Sequence, residues 1–118
     1  MIEGLGHVRL EVADLQQSVA FYRDGLRFRF ERGDDSPPAQ VHLCAGDLRL
    51  VLAQAPPRAR ARGAGVCLSL LVVSVDAYRD ALVARGIAAT APRDRDGIRS
   101  FTVRDPDGYT WQFRQPRP

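Results

Sequence analysis

The chain has 118 residues, 45% apolar and 26% charged, and carries a net charge of +3; all 17 of its basic residues are arginine. That length and mix describe one ordinary globular domain, large enough to bury a core without staples. They exclude a membrane-spanning chain, because no apolar run is long enough, and the opening MIEGLGHV lacks the basic start and apolar core of a secretory leader, so a cytoplasmic protein is expected.

Two cysteines, Cys44 and Cys67, are too few for a disulfide framework and too far apart for a Cys-x-x-Cys site. Buried free thiols are the expectation for both. The arginines are scattered among acids, apart from one acid-free group, Arg58, Arg60 and Arg62. A solvated loop accounts for that group as well as a nucleic-acid footprint would, and nucleic-acid binding is disfavoured.

Residues 7–12 (HVRLEV) alternate, with Val8, Leu10 and Val12 on one face and His7, Arg9 and Glu11 on the other. This is a half-buried strand with a charged second face. Asp14 opens a helix, and Gln17 stands at the capping-box spacing. Leu15, Val19, Tyr22 and Leu26 form one apolar stripe, and Gly25 stands where the helix should stop. Strands follow at 28–32, 41–45 and 48–54, separated by the turn residues of 34–38 and by Gly46-Asp47. In the last of these, Leu48, Leu50 and Leu52 face the core, and Arg49, Val51 and Ala53 face away. Residues 55–65 (APPRARARGAG) form a boundary loop.

The second half repeats the order. A strand at 66–73 leads to Ser74, a helix N-cap. Val75, Tyr78 and Leu82 make the helical stripe, which Gly86 ends. A short strand at 87–90 and a turn at 94–97 precede the most informative stretch, FTVRDPDGYTWQF at 101–113. There Pro106 supplies the φ of a type I turn, and Gly108 closes a bulged hairpin. Tyr109, Trp111 and Phe113 share the core face, leaving Thr110, Gln112 and Arg114 opposite. Sixty residues on, His7 falls on Cys67, Leu10 on Leu70 and Val12 on Val72; sixty-one on, Leu50 falls on Trp111 and Val51 on Gln112. A repeat of this period is a unit that cannot bury its own sheet alone. The fold class is therefore α+β, with one βαβββ module at about 4–54 and a second at about 66–115, joined by loop 55–65.

HVRLEVADLQQSVAFYRDGL, FTVRDPDGYTWQF and the βαβββ repeat together resemble the vicinal-oxygen-chelate family of glyoxalases, bleomycin-resistance proteins, fosfomycin-resistance enzymes and extradiol dioxygenases. The resemblance spans nearly the whole chain. It implies two modules forming a curved mixed sheet around a cleft, with helices on the outer face. It also implies a homodimer with each site drawn from both chains. Its cleft lining would be His7, Arg9, Glu11, Arg49, Cys67, Ser69, Thr102, Thr110, Gln112 and Arg114. Metal-dependent relatives hold a divalent ion with His on the first strand and Glu on the last strand of each module. The matching positions here are His7, Val51, Cys67 and Gln112.

Only His7 keeps its type: valine cannot ligate, glutamine lacks the compensating charge, and a thiolate suits an open hard-ligand site poorly. For His7, pairing with Glu11 or another polar neighbour outweighs ligation. For Cys67, a small buried residue outweighs both ligation and nucleophilic catalysis, since no base stands by to activate it. Arg9, Arg49 and Arg114 read equally as a solvated sheet edge or as an anion-complementary lining. The resemblance is strongest to metal-free resistance-type members, which sequester a natural product or antibiotic without metal, cofactor or catalytic residues. The alternative is a divalent-metal lyase, isomerase, dioxygenase or thiol transferase with His7 and Cys67 as ligands. A metal-independent enzyme with Glu11 or His7 as general base, and a regulatory or nucleic-acid module, rank below these. Cleft shape would depend on loop 55–65 and on Ser36-Pro37-Pro38.

Overall fold

The computed structural model of the chain describes residues 1–57 and 63–116. Arg58, Arg60 and Arg62, the acid-free group, lie outside the described residues. The chain divides into two compact units, Met1–Arg60 and Ala61–Pro118. Each contains a four-stranded mixed sheet with a helix on one face, so the fold is α+β with tandem βαβββ modules.

In the first module, β1 (Val8–Val12) is followed by α1 (Leu15–Val19), a π-helical segment (Ala20–Gly25), β2 (Arg29–Asp34), β3 (Gln40–Ala45) and β4 (Leu48–Gln54). The sheet order is β1-β4-β3-β2, with β1 parallel to β4 and the other pairs antiparallel. The second module repeats it: β5 (Cys67–Leu71), α2 (Val75–Ala84), β6 (Arg93–Arg95), β7 (Ile98–Arg104) and β8 (Thr110–Pro116), in the order β5-β8-β7-β6.

Both helices start in the same way. The side chain of Asp14 accepts from the Gln17 amide at 3.1 Å, and that of Ser74 from the Ala77 amide, also at 3.1 Å. Each cap satisfies one of the amides that a helix start leaves without a partner. A second device was not legible in the sequence. Gln54, ending β4, accepts from the Leu15 amide at 3.0 Å, and Gln115, near the end of β8, accepts from the Val75 amide at 2.8 Å. The last strand of each module thus holds the first turn of its helix. Gln54 also donates to the carbonyls of Val12, Ala13 and Ala55, so its amide is wholly engaged.

The helix ends differ. In the second module Gly86, at φ 83, is the left-handed residue that closes α2, and the Ile87 amide returns to the Leu82 carbonyl. In the first, the helix ends at Gly25 as the sequence suggests, but the left-handed residue is Arg27, at φ 67. The Leu26 amide reaches the Phe21 carbonyl, five residues back, at 2.9 Å. One extra residue relative to α2 has been absorbed as a π bulge, and this carries the closing position past the glycine.

The core of the first module is Leu10, Val12, Tyr22, Leu26, Phe28, Leu43, Leu50 and Leu52, all buried. Phe28 precedes β2 rather than starting it, because its amide closes the helix onto the Tyr22 carbonyl. The core of the second is aromatic. Trp111, Phe101 and Phe113 are at most 1% exposed, and the Tyr78 ring lies 4.9 Å from that of Phe113. Burial pushes the Tyr78 hydroxyl up to about 12, an effect that Arg85 opposes weakly.

The Asp105–Gly108 turn forms as the residues dictate. The Gly108 amide donates to the Asp105 carbonyl, Gly108 takes φ 88, and the Asp105 carboxylate accepts from the Asp107 and Tyr109 amides. Gly63 packs directly on this turn: a Cβ there would stand 2.6 Å from the Gly108 and Tyr109 backbone.

Three expectations need correction. Residues 87–90 form no strand. Thr90 instead holds β7 from beside it, accepting from the Thr102 amide at 2.8 Å, and the pairing strand is Arg93–Arg95. Asp94 and Arg95 therefore belong to a hairpin whose two-residue turn is Asp96-Gly97, both at positive φ. Val51 and Ala53, on the face away from α1, are nevertheless buried, at 4% and 0% exposure. Finally, the cysteines are not buried: Cys44 is half-buried and Cys67 is exposed on the edge strand β5.

Candidate functional site

Strand pairing fixes which side chains share the face of each sheet that lies away from its helix. In the first module Arg9 on β1 stands beside Val51 on β4, which stands beside His42 and then Arg32. One step along, Glu11 stands beside Ala53 and then Gln40; Arg49 stands beside Cys44 and then Arg29. His7, one residue before β1, is exposed.

Two of these arginines have acids of their own module as partners. Arg9 meets Glu11 at 3.5 Å, and Arg49 meets Glu31, the residue bulged out of β2, also at 3.5 Å. Exposed pairs at that distance contribute about 0.2–1 kcal/mol each, so their main effect is to neutralise the face locally. Glu11 thus serves Arg9 rather than His7, which corrects the expected His7–Glu11 pair.

A cavity of about 660 Å³ opens at the end of this face. Arg9, Glu11, Asp35 and Gln54 are its polar lining residues, and Pro37, Pro38 and Pro56 supply apolar wall. A mostly apolar cavity with a few polar anchors is the usual form of a small-molecule site. Arg9 and Glu11 are legible in the strand alternation. Pro37, Pro38 and Pro56 fall in the two segments, Ser36-Pro37-Pro38 and loop 55–65, on which cleft shape is expected to depend; Asp35 is not legible, because its placement depends on where its loop folds back. A second cavity of about 560 Å³ lies on the helix side, against Gln16, Arg23 and Val41, and none of the sequence-predicted site residues lines it.

In the second module the equivalent rows are Cys67, Thr110 and Arg104; then Ser69, Gln112 and Thr102; then Leu71, Arg114, Ser100 and Arg93. Ser69 Oγ donates to Gln112 Oε1 at 3.0 Å, so the two central side chains are joined. Neither Asp nor Glu occurs among the strand residues of this face. Asp94 points to the helix side, where it and Asp76 bracket Arg99 at 3.0 and 2.9 Å. Hydrogen bonds that Arg99 donates to these carboxylates, to Asp76 above all, hold it more firmly protonated than a free guanidinium.

The predicted lining residues therefore fall into two sets. Arg9, Glu11 and Arg49 belong to the first module's face, with His7 exposed just before β1, and Cys67, Ser69, Thr102, Thr110, Gln112 and Arg114 belong to the second's. Within each module the strand residues among them are brought onto one surface.

A divalent ion does not fit the four positions at which metal-dependent relatives place ligands. Val51, between Arg9 and His42, is a buried aliphatic side chain with no donor atom to offer a metal. Gln112 Oε1 already accepts from Ser69. Among the described residues no three His, Cys, Asp or Glu side chains come together in a way that could hold a metal. No helix among them is long and apolar enough to cross a membrane.

A family model for the Glyoxalase/Bleomycin resistance protein/Dioxygenase superfamily matches residues 4–113. Among solved structures, a glyoxalase family protein from Bacillus anthracis superposes with a TM-score of 0.86 at 16% identity, over 99% of this chain and 98% of that one. A glyoxylase/bleomycin resistance protein/dioxygenase domain from Frankia sp. EAN1pec gives 0.84 at 23% identity, over 99% and 100%. The fosfomycin resistance protein FosX from Listeria monocytogenes gives 0.79 at 22% identity, over 98% and 94%. No protein of curated function matches the sequence.

Proposed function

The chain belongs to the Glyoxalase/Bleomycin resistance protein/Dioxygenase superfamily, and within it we propose a metal-independent small-molecule-binding protein of the resistance type. It would hold a natural product or antibiotic against the polar module faces of a homodimer and sequester it without turnover. The observation that carries this reading is Gln112: the last-strand position where a metal-dependent relative holds a carboxylate carries a neutral amide whose oxygen accepts from Ser69, and the matching Val51 is a buried aliphatic group. With Gln112 engaged by Ser69, neither last-strand position offers an anionic ligand. The cavity beside Arg9 and Glu11 supports binding, since it combines proline walls with a guanidinium and carboxylates that orient a ligand.

The superfamily's resistance members supply the first compounds to try. Titration of the full chain with fosfomycin and with bleomycin, with and without a chelator, followed by recovery of each compound, tests the reading. It predicts saturable binding of at least one compound, unchanged by the chelator, with the compound recovered intact. Recovery of a chemically altered compound would overturn sequestration. Binding that vanishes with the chelator would overturn metal independence.

A further inference from the structure

Three arginines read from the sequence as equally a solvated edge or an anion-complementary lining, and the structure separates them. Arg9 and Arg49 each have a carboxylate partner within their own module. Arg114 makes no ion pair among the described residues, and the strands beside it contribute no acid to its face. Register sets Ser100 next to Arg114, and Arg93 next to Ser100 on the far side. The two guanidinium stems are thus two strand spacings apart, roughly 10 Å at the Cα atoms, with a hydroxyl between them. Both side chains point away from α2, because the intervening residues do the opposite: Arg99 is bonded to Asp76 on the helix, and Phe101 and Phe113 are core. The next row carries Gln112 and Thr102, further neutral hydrogen-bonding groups.

From this row we infer an oxyanion site on the second module, in which Arg93 and Arg114 grip a phosphate, phosphonate or sulfate group of a small molecule from two sides and Ser100 donates to it from below. A guanidinium presents paired N–H donors that match such a group bidentately, and two of them without a competing carboxylate make the match selective for a doubly charged anion. Arg104, exposed at the end of the same face, adds long-range attraction. The inference rests on reading the module faces as ligand-binding surfaces, but it is indifferent to whether the bound compound is released intact.

The test is a titration of the full chain with inorganic phosphate and with phenyl phosphate at fixed ionic strength, followed through the arginine Nε–H signals by NMR. The signals of Arg93 and Arg114 should move saturably. Arg114→Gln or Arg93→Gln should weaken binding about tenfold or more, the size of a lost hydrogen bond to a charged group. Arg114→Lys should fall between Arg114→Gln and the unaltered chain, since the charge remains and the fork is lost. Arg23→Gln removes the same charge from the helix side of the first module, where Arg23 is exposed and paired with Asp24, and should leave the affinity within about twofold. Arg93 is exposed, so its replacement tests the site even if Arg114→Gln perturbs the sheet. Absence of saturation would overturn the inference. So would an equal loss on Arg23→Gln, which would reduce the effect to net charge. Tighter binding of a single-stranded 20-nucleotide DNA, lost on the same variants, would replace the small molecule with a polymer. Altered fosfomycin or bleomycin would sink sequestration and leave this site standing.

Discussion

The two modules share a frame and differ on the surface that the frame presents. Both start their helix with a side-chain cap, Asp14 or Ser74, and both hold its first amide with a glutamine from the last strand, Gln54 or Gln115. The inner rows have diverged. Around Val51 the first module places Arg9 and His42; around Gln112 the second places Ser69 and Thr102. Among the described residues, the first module pairs Arg9 and Arg49 with acids of its own, and the second pairs neither Arg93 nor Arg114. Strand ends and helix starts must satisfy backbone groups, which leaves few residue choices, whereas a wet sheet face tolerates almost any polar side chain. The conserved geometry of the repeat therefore speaks for the fold, and the divergent faces speak for the ligand.

The comparison is broken most severely by emptying the cores. Trp111→Ala should cost about 3–5 kcal/mol and its repeat partner Leu50→Ala about 2–5, read by chemical denaturation of the full chain. A much smaller loss at Trp111 would mean that the aromatic cluster with Tyr78 and Phe113 is not the second module's core. The glutamine clamps come next. Gln54→Ala removes four hydrogen bonds, three of them to carbonyls, and should cost about 1–3 kcal/mol, more than Gln115→Ala, which removes one. Equal losses would show that the additional bonds of Gln54 add nothing.

Alkaline pH should separate the modules further. Tyr78 ionises at about 12 when folded and near 10 when unfolded. Its contribution is therefore fully present below pH 10 and is lost as pH rises from 10 towards 12. Tyr78→Phe should flatten that loss, measured as the denaturation midpoint against pH; an unchanged slope would assign it elsewhere. The smallest effect is a gain. Arg27→Gly relieves a left-handed residue and should stabilise by about 0.5–1 kcal/mol after the extra freedom of the unfolded glycine is counted. A loss would show that the Arg27 side chain contributes more than its backbone costs.

Much of this was legible in the residues. Alternation and the sixty-residue repeat placed six of the eight strands within two residues of where they lie, and Asp105-Pro106-Asp107-Gly108 specified its own turn. What failed did so for identifiable reasons. Ile87 to Thr90 has strand-like composition, but Thr90 acts through its hydroxyl, and the pairing passes to Arg93–Arg95 beyond Pro92. The π bulge is a one-residue insertion that leaves no mark on an apolar stripe. The misjudged exposure of Cys67 follows from β5 being an edge strand, which strand periodicity does not reveal. At the candidate site, parity assigned the polar rows to their faces. It could not show which arginines had acidic partners, because Glu31 reaches Arg49 only through the β2 bulge, nor bring Asp35 to the cavity wall.

The central claim is that this scaffold binds its ligand with side chains alone. Native mass spectrometry of the full chain, purified without chelators, addresses it most directly. The account predicts a dimer that carries small molecules but no stoichiometric divalent metal. Near-stoichiometric metal that disappears on His7→Ala would contradict it.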